Sequence, residues 1–300
     1  MKALVTGGRG FVGGNLIAAL HARDVEVEEL VRVGSVPSTG KVRSHEIDIT
    51  DAEAVTRLFE ELRPTHVFHL AASNIRSGVT AAPEEVVRTN VLGTHAVVEA
   101  AAKIGAQCVT VGTFLEYGAQ PNALTEDLRC EPPEIYSVSK LAGTLLASAS
   151  GRRGASTVAL RLFTPYGPGI QEKRLVREVL TKARAGLSLE LTSPTVTRDF
   201  IYIDDVVALL IEAAERAGEY KGEIFNVGSG EKTSLETLAN AALEITGSTS
   251  EVVWGGFGSV SYDSDRWQAD MTKTFGAFSW RPKVSLKEGL ERTLAWLDRK

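Results

Sequence analysis

The hexapeptide Ile135-Tyr136-Ser137-Val138-Ser139-Lys140 places a phenol four residues ahead of an ammonium. On an α-helix, positions i and i+4 lie on one face and touch. A phenol ionises near pH 10, and a positive neighbour lowers that value. The pair can therefore make a tyrosine that exchanges protons close to neutral pH. It is equally an exposed aromatic beside a solvated lysine, and for the pair alone that reading is the default.

A second constellation lies in "LVTGGRGFVGGNL", where Gly7, Gly10 and Gly13 follow a strand-like run and open a helical pattern. Glycines there permit a tight turn and let backbone approach a pyrophosphate, which the helix N-terminus stabilises. A simple turn or a close helix–strand crossing also asks for glycines, but the strand–turn–helix context favours a dinucleotide. At the end of the second strand a carboxylate would hold the ribose hydroxyls of NAD, and a guanidinium would accept a 2′-phosphate. In "VEVEELVRVGS" that position, about 20 residues past the glycines, falls on Val31 with Arg32 next. Glu28 and Glu29 come early. The cofactor predicted is NADP(H), with NAD(H) as the other candidate; the competing reading makes Arg32 a surface charge.

The elements that must hold these residues alternate. Strand candidates are 3–6, 25–31, 45–47, 66–70, 107–111 and 157–162, and helix-patterned stretches include 11–21, 51–62 and 84–104. Such alternation implies right-handed βαβ units and a parallel sheet covered on both faces. After about Arg161 the rhythm breaks in "TPYGPGIQ". We read residues 1–164 as the dinucleotide domain, with a return segment at about 198–227, and 165–300 as a smaller α/β lobe.

Bulk properties narrow the function classes. Three hundred residues, 43% hydrophobic, suffice for one large α/β unit or two lobes. A net charge of −5 gives no reason to expect nucleic acid or an anionic membrane as partner. Cys108 and Cys130 lack metal or redox spacing, and the five histidines form no ligand pair, so no metal is expected. No apolar run reaches membrane length, and a strand starting at Lys2 leaves no room for a signal peptide, which predicts a cytoplasmic protein.

Taken in order, "TGGRGFVG" (6–13), "DITD" (48–51), "HLAA" (69–72), "TNVLGT" (89–94), "GTFLEYG" (112–118), "YSVSK" (136–140), "RLFTPYGPG" (161–169) and "RDFIYIDDV" (198–206) resemble the extended short-chain dehydrogenase/reductase family. The resemblance, nearly end to end, implies a Rossmann-type doubly wound parallel sheet and a C-terminal lobe that binds a nucleotide-diphosphate sugar. It implies that Tyr136 is the acid/base, that Lys140 lowers its pKa and bonds the nicotinamide ribose, and that Thr113 holds the reacting oxygen. Asp48 and Ile49 match residues flanking the adenine. Gly7, Gly10, Phe11, Val12 and Gly13 match the pyrophosphate turn, with Leu70, Ala71 and Ala72 beside it and Val111 near the cofactor. Phe163 and Pro165 match positions against the nicotinamide, and Arg198 a diphosphate-binding arginine that also has Asp199 and Asp204 as ion-pair candidates. Thr164 stands where relatives carry an asparagine, and Arg266 where the second diphosphate arginine is displaced. Trp254, Tyr262 and Trp267 are candidates to stack on a base or to fill the lobe's core.

The family also implies a homodimer through helices 84–104 and 134–150, with Val87, Val91, Val97, Val98, Val138, Leu141 and Leu145 as the apolar stripes, each of which could instead serve only the subunit's own core. Its dehydratases read Thr-Asp-Glu where this chain reads Thr113-Phe114-Leu115, and Glu116, one residue on, is not counted as a substitute. The expected activity is NADPH-dependent reduction of the C4 keto group of an NDP-4-keto-6-deoxyhexose in deoxysugar biosynthesis. An NAD-dependent 4-epimerase is the alternative, and a non-catalytic NADP(H) sensor is a third.

Overall fold

The computed structural model of the chain describes residues 1–35, 42–73, 82–120, 122–258, 264 and 266–299. It opens with β1 (Lys2–Thr6), α1 (Phe11–His21), β2 (Glu26–Val31), β3 (Arg43–Glu46), α2 (Ala52–Leu62) and β4 (His66–His69). Next come α3 (Pro83–Val87), a π-helical turn (Arg88–Gly93), α4 (Thr94–Ile104), β5 (Gln107–Thr113), a 3₁₀ turn (Phe114–Glu116), α5 (Ile135–Arg152) and β6 (Thr157–Leu162). The remainder runs β7 (Thr164–Tyr166), α6 (Leu175–Arg184), β8 (Leu189–Leu191), β9 (Thr197–Arg198), β10 (Phe200–Tyr202), α7 (Ile203–Glu215) and β11 (Ile224–Val227). It closes with β12 (Thr233–Ser234), α8 (Leu235–Thr246), β13 (Val252–Trp254), α9 (Thr272–Ala277) and α10 (Leu286–Leu297).

Seven strands form one sheet in the order β11-β6-β5-β4-β1-β2-β3. The ladders from β3 through β5 are parallel. The chain starts mid-sheet at β1, builds outward to β3, then returns to β4 on the other side of β1. Right-handed crossovers send α1 to one face and α2, α4 and α5 to the other. Accordingly α4 packs against both α2 and α5. This is the Rossmann-type doubly wound sheet expected. Its order reverses between β1 and β4, and there the strands' carboxyl ends open a crevice suited to ligands.

Local chemistry sets the elements. Asp51 caps α2 by accepting the Ala54 N–H at 3.0 Å, and Arg63 ends it in the left-handed conformation, φ 49°. At the start of α5 the Ser137 hydroxyl accepts the Glu134 N–H and donates to the Glu134 carbonyl. The run 84–104 is not one regular helix. Within its π turn Asn90 is turned inward to 1% exposure, and Thr94 directly after it to 3%. The extra residue per turn carries polar side chains into the interior, where they bond as described below.

One core cluster includes Leu4, Phe59, Val67, Val97, Val98 and Cys108. Val97 and Val98, expected in an outward stripe, thus belong to the chain's own core, because that face of α4 meets α2. Outward apolar residues on α3, the π turn and α5 include Val87, Leu92, Val138 and Leu145, each 40–52% exposed. Burial pushes the Cys108 thiol up to about 12, so it behaves as a small apolar group. No helix among the described residues is long and apolar enough to cross a membrane.

The chain forms two compact units, 1–116 with 132–161 and 207–225, and 117–131 with 162–206 and 226–300. These bounds differ from those read off the sequence. Segment 117–131 joins the second unit because Asn226 accepts the Tyr117 hydroxyl at 2.6 Å and donates to the Leu124 carbonyl at 2.7 Å. The return segment is shorter than 198–227 because β10 pairs with β7 and β9 with β12. Among the described residues the second unit therefore holds three two-stranded pieces, β8–β13 being the third, with α6, α8 and α10 packed on one another.

Candidate active site

The glycine turn follows β1 directly. Gly7 has φ +73°, and a Cβ there would lie 2.6 Å from the Ala71 nitrogen, so backbone lies directly on backbone. A Cβ on Gly13 would run into the Gly7 carbonyl. Gly10, at the N-cap of α1, provides no side-chain cap, and the first turn carries no acid. The helix offers no acceptor to the N–H groups of Phe11, Val12 and Gly13. A helix start of this kind, closely packed on the strand and without a side-chain cap, fits a dinucleotide pyrophosphate.

At the adenosine end, β2 stops at Val31 and Arg32 follows. The Arg32 guanidinium is 80% exposed and sits 3.1 Å from Glu85. A different arginine, Arg9 of the glycine turn, pairs at 3.1 Å with the buried Glu29, which also accepts the Ser44 hydroxyl at 2.6 Å. Arg9 and Glu29 stand 20 residues apart, so no local pattern in the sequence marks the pair. Asp48 is exposed, and its carboxyl lies below its ordinary range mainly because it accepts the Thr50 N–H. Ile49 is buried against Gly93.

Thr113 ends β5, and α5, which carries Tyr136 and Lys140 one turn apart, packs against that strand. Thr113 is 8% and Lys140 7% exposed, while Tyr136 is half-buried. Burial pushes the Lys140 ammonium below its ordinary range, and the negative charge of Glu116 opposes that fall. The arrangement joins a phenol, a hydroxyl and a desolvated ammonium, a set able to move a proton to or from an alcohol oxygen.

Several supports were not foreseen. The buried His69 bonds Thr6 through Nδ1 at 2.8 Å and Thr94 through Nε2 at 2.9 Å. Thr94 donates its own proton to the Asn90 carbonyl, so His69 Nε2 must be the donor toward it. Nδ1 then accepts from Thr6, whose oxygen accepts the Ala71 N–H at 3.2 Å. One directed chain thus runs from the crevice wall to the π turn. Asn90 in turn bonds Ser73 twice and Ser139 once. An asparagine inside a helical run, a poor helix former, was the available signal.

In the second unit, Phe163 is buried and donates its N–H to the Val227 carbonyl at 3.0 Å. Thr164 and Pro165 lie in β7, opposite Phe200 and Ile201. Arg198 is 8% exposed and donates to the Thr197 carbonyl at 2.8 Å, while Arg266 is exposed. Asp199, a sequence-level ion-pair candidate, accepts the N–H groups of Ser229, Gly230 and Ala269, and burial raises its pKa to about 6. Trp267 is 2% exposed and is core; Trp254 is 36% exposed; Tyr262 lies outside the described residues.

Residues 3–228 match the model of the NAD dependent epimerase/dehydratase family. The chain belongs to that family. Among relatives of this family member, the dTDP-glucose 4,6-dehydratase of Streptomyces griseus is 31% identical over 98% of this chain and 93% of its own. The UDP-glucose 4-epimerase of Thermotoga maritima, solved with UDP-glucose, superposes with TM-score 0.88 at 27% identity, covering 100% and 99% of the two chains. The UDP-glucose 4-epimerase of Thermus thermophilus, solved with NAD, gives TM-score 0.83 at 28% identity over 99% of each chain. This family member is thus an enzyme of the NAD-dependent nucleotide-sugar epimerase/dehydratase group.

Proposed function

We propose that the protein is an NAD-dependent epimerase acting at C4 of the hexose in a nucleoside-diphosphate sugar. The observation that carries this is the strip beside Thr113. Phe114 and Leu115 are apolar and 8% and 6% exposed, so the strip offers no acid or base for eliminating water. What remains is one proton-exchanging phenol. Family membership, a neighbour solved with NAD and the seating of Arg32 on Glu85 support NAD over NADP.

We assign Gly7, Gly10, Phe11, Val12 and Gly13 to the pyrophosphate, with Leu70, Ala71 and Ala72 beside it, and Asp48 and Ile49 to the adenine. Val111, Phe163 and Pro165 are assigned to the nicotinamide side, and Thr164, Arg198 and Arg266 to the sugar diphosphate. Bound there, NAD supplies a hydride acceptor that returns what it takes. Tyr136 takes the proton of the C4 hydroxyl as that carbon is oxidised and gives it back on re-reduction. Thr113 holds the oxygen in line, and the Lys140 ammonium favours the phenolate form of Tyr136. With one phenol serving both half-reactions, inversion requires the sugar to present its other face.

A second reading is NADPH-dependent 4-ketoreduction of an NDP-4-keto-6-deoxyhexose. The missing acid at Val31 and the exposed Arg32 guanidinium favour it; Tyr136 would then only donate. One experiment separates the two. The purified protein is incubated with UDP-glucose, and separately with dTDP-4-keto-6-deoxyglucose and NADPH. Formation of the C4 epimer without net nicotinamide consumption supports the epimerase. Stoichiometric NADPH oxidation with the ketosugar and no epimerisation replaces it with the reductase.

A further inference from the structure

We propose that Glu116 is a positioning residue: its buried carboxylate, held by Arg161 and Thr144, fixes Thr113 against the Tyr136–Lys140 face of α5 and sets the field around that pair. The proposal rests on the acid/base reading of Tyr136.

The geometry is closed on every side. Glu116 is 0% and Arg161 2% exposed. Glu116 Oε1 accepts the Thr113 N–H at 2.8 Å and the Thr144 hydroxyl at 3.1 Å. Its Oε2 meets Arg161 Nε on β6 at 2.8 Å. Thr144 is four residues beyond Lys140, and Lys140 four beyond Tyr136, so one stripe of α5 carries the phenol, the ammonium and this strut. The carboxylate is thereby bonded both to the backbone of Thr113 and to the helix bearing Tyr136. Space has been cleared for it. A Cβ on Gly112 would collide with Glu116 Oε1 and lie 2.8 Å from Thr144 Oγ1.

A buried ion pair is a poor choice for stability alone, because well-packed apolar residues of similar volume do as well or better. Its charge has another use. Around Lys140 stand Tyr136 on its own helix, His69 from β4 and Glu116 from the turn after β5, with Arg161 facing Glu116. His69 is held neutral by burial, its pKa near 3. Glu116 is the anion that keeps the Lys140 ammonium from falling further as burial pushes it down.

The test is Glu116→Gln, which keeps the shape and an acceptor for the Thr113 N–H but removes the charge. The Tyr136 titration is read from the tyrosinate ultraviolet band, subtracting a Tyr136→Phe partner in each background. Losing an anion lowers the proton affinity of phenol and ammonium alike, so both steps of the coupled titration are expected at lower pH. With the nucleotide sugar, kcat is expected to fall about 10²-fold, the cost of misplacing a reacting group by roughly an ångström, with KM little changed. Thr144→Val buries no unpaired charge and removes only the strut; its kcat is expected to drop with the tyrosine titration in place. A folded Glu116→Gln protein with an unmoved titration overturns the proposal. If Glu116→Gln does not fold, a folded Thr144→Val protein with parental kcat overturns it instead. The titration needs no substrate, so a shifted titration in a protein that turns over no nucleotide sugar would sink the reaction assignment and leave the role of Glu116 standing.

Discussion

Asn90 Nδ2 donates to Ser139 Oγ at 2.9 Å, and Ser139 donates to the Tyr136 carbonyl at 2.7 Å. The π turn therefore grips the turn of α5 that carries the phenol. The Asn90 amide oxygen also takes the Ser73 N–H at 2.8 Å, so three segments meet at one side chain. Tyr136 is held in place by bonds to its backbone, independent of its hydroxyl.

Tyr136→Phe should consequently fold and bind cofactor as the parent does while losing turnover by about 10²–10⁴, the usual worth of a positioned proton donor. Thermal melting, cofactor titration and epimer formation check the three parts. Parental turnover in a folded, cofactor-loaded variant would end the phenol's assigned role.

On the cofactor side, NAD is expected to bind at least as tightly as NADP. The Arg32–Glu85 pair is exposed, worth about 0–1 kcal/mol, so Arg32→Ala should alter NAD affinity by no more than that. Equilibrium titration with both dinucleotides decides. A strong preference for NADP that vanishes in Arg32→Ala would move the assignment to the ketoreductase.

Acid stability should depend on His69. Burial lowers its pKa to about 3 in the folded protein, against 6.5 for an ordinary imidazole, so the unfolded chain takes a proton that the folded chain refuses. The contribution is complete above about pH 6.5. It is lost at up to about 1.4 kcal/mol per pH unit as pH falls toward 3. Urea unfolding of the parent and of His69→Gln across this window should show a shallower slope in the variant. Equal slopes would remove His69 from the account.

Assembly is the fourth expectation. Val87, Leu92, Val138 and Leu145 expose apolar surface on the π-interrupted helix and on α5, which supports the proposed homodimer. Light scattering at about micromolar concentration should give twice the chain mass. Leu145→Asp should weaken the dimer by about tenfold or more. A monomeric parent refutes the idea.

The sheet was legible because its strands are continuous apolar runs between helical patterns; α1 and β6 fall on the bounds expected from sequence, 11–21 and 157–162. The glycine turn was legible because its glycines, the strand before them and the helix after them are adjacent in sequence, although the backbone that Gly7 admits, at Ala71, is distant. Glu116 was not. Its partner Arg161 is 45 residues away, and a glutamate before a tyrosine carries no local mark of burial. The π turn was hidden for a related reason: its cause is the bonding of Asn90 to Ser73 and Ser139, which only the fold brings near. Of the two readings open for the stripe, the own-core one holds at Val97 and Val98; helical periodicity reveals an apolar face without saying which neighbour covers it.

The position of β11 has a consequence for synthesis on the ribosome. β6 borders β5 on one side and β11 on the other, yet residues 163–223 separate it from β11 in the chain. A nascent chain that has released β6 but not β11 displays an unpaired edge on a strand of six buried residues, a template for wrong pairing. Only after residue 227 has emerged can that edge be closed. The N-terminal part of this polypeptide therefore cannot complete its sheet as an early, independent piece, and a product stopped short of β11 is built to associate with others of its kind.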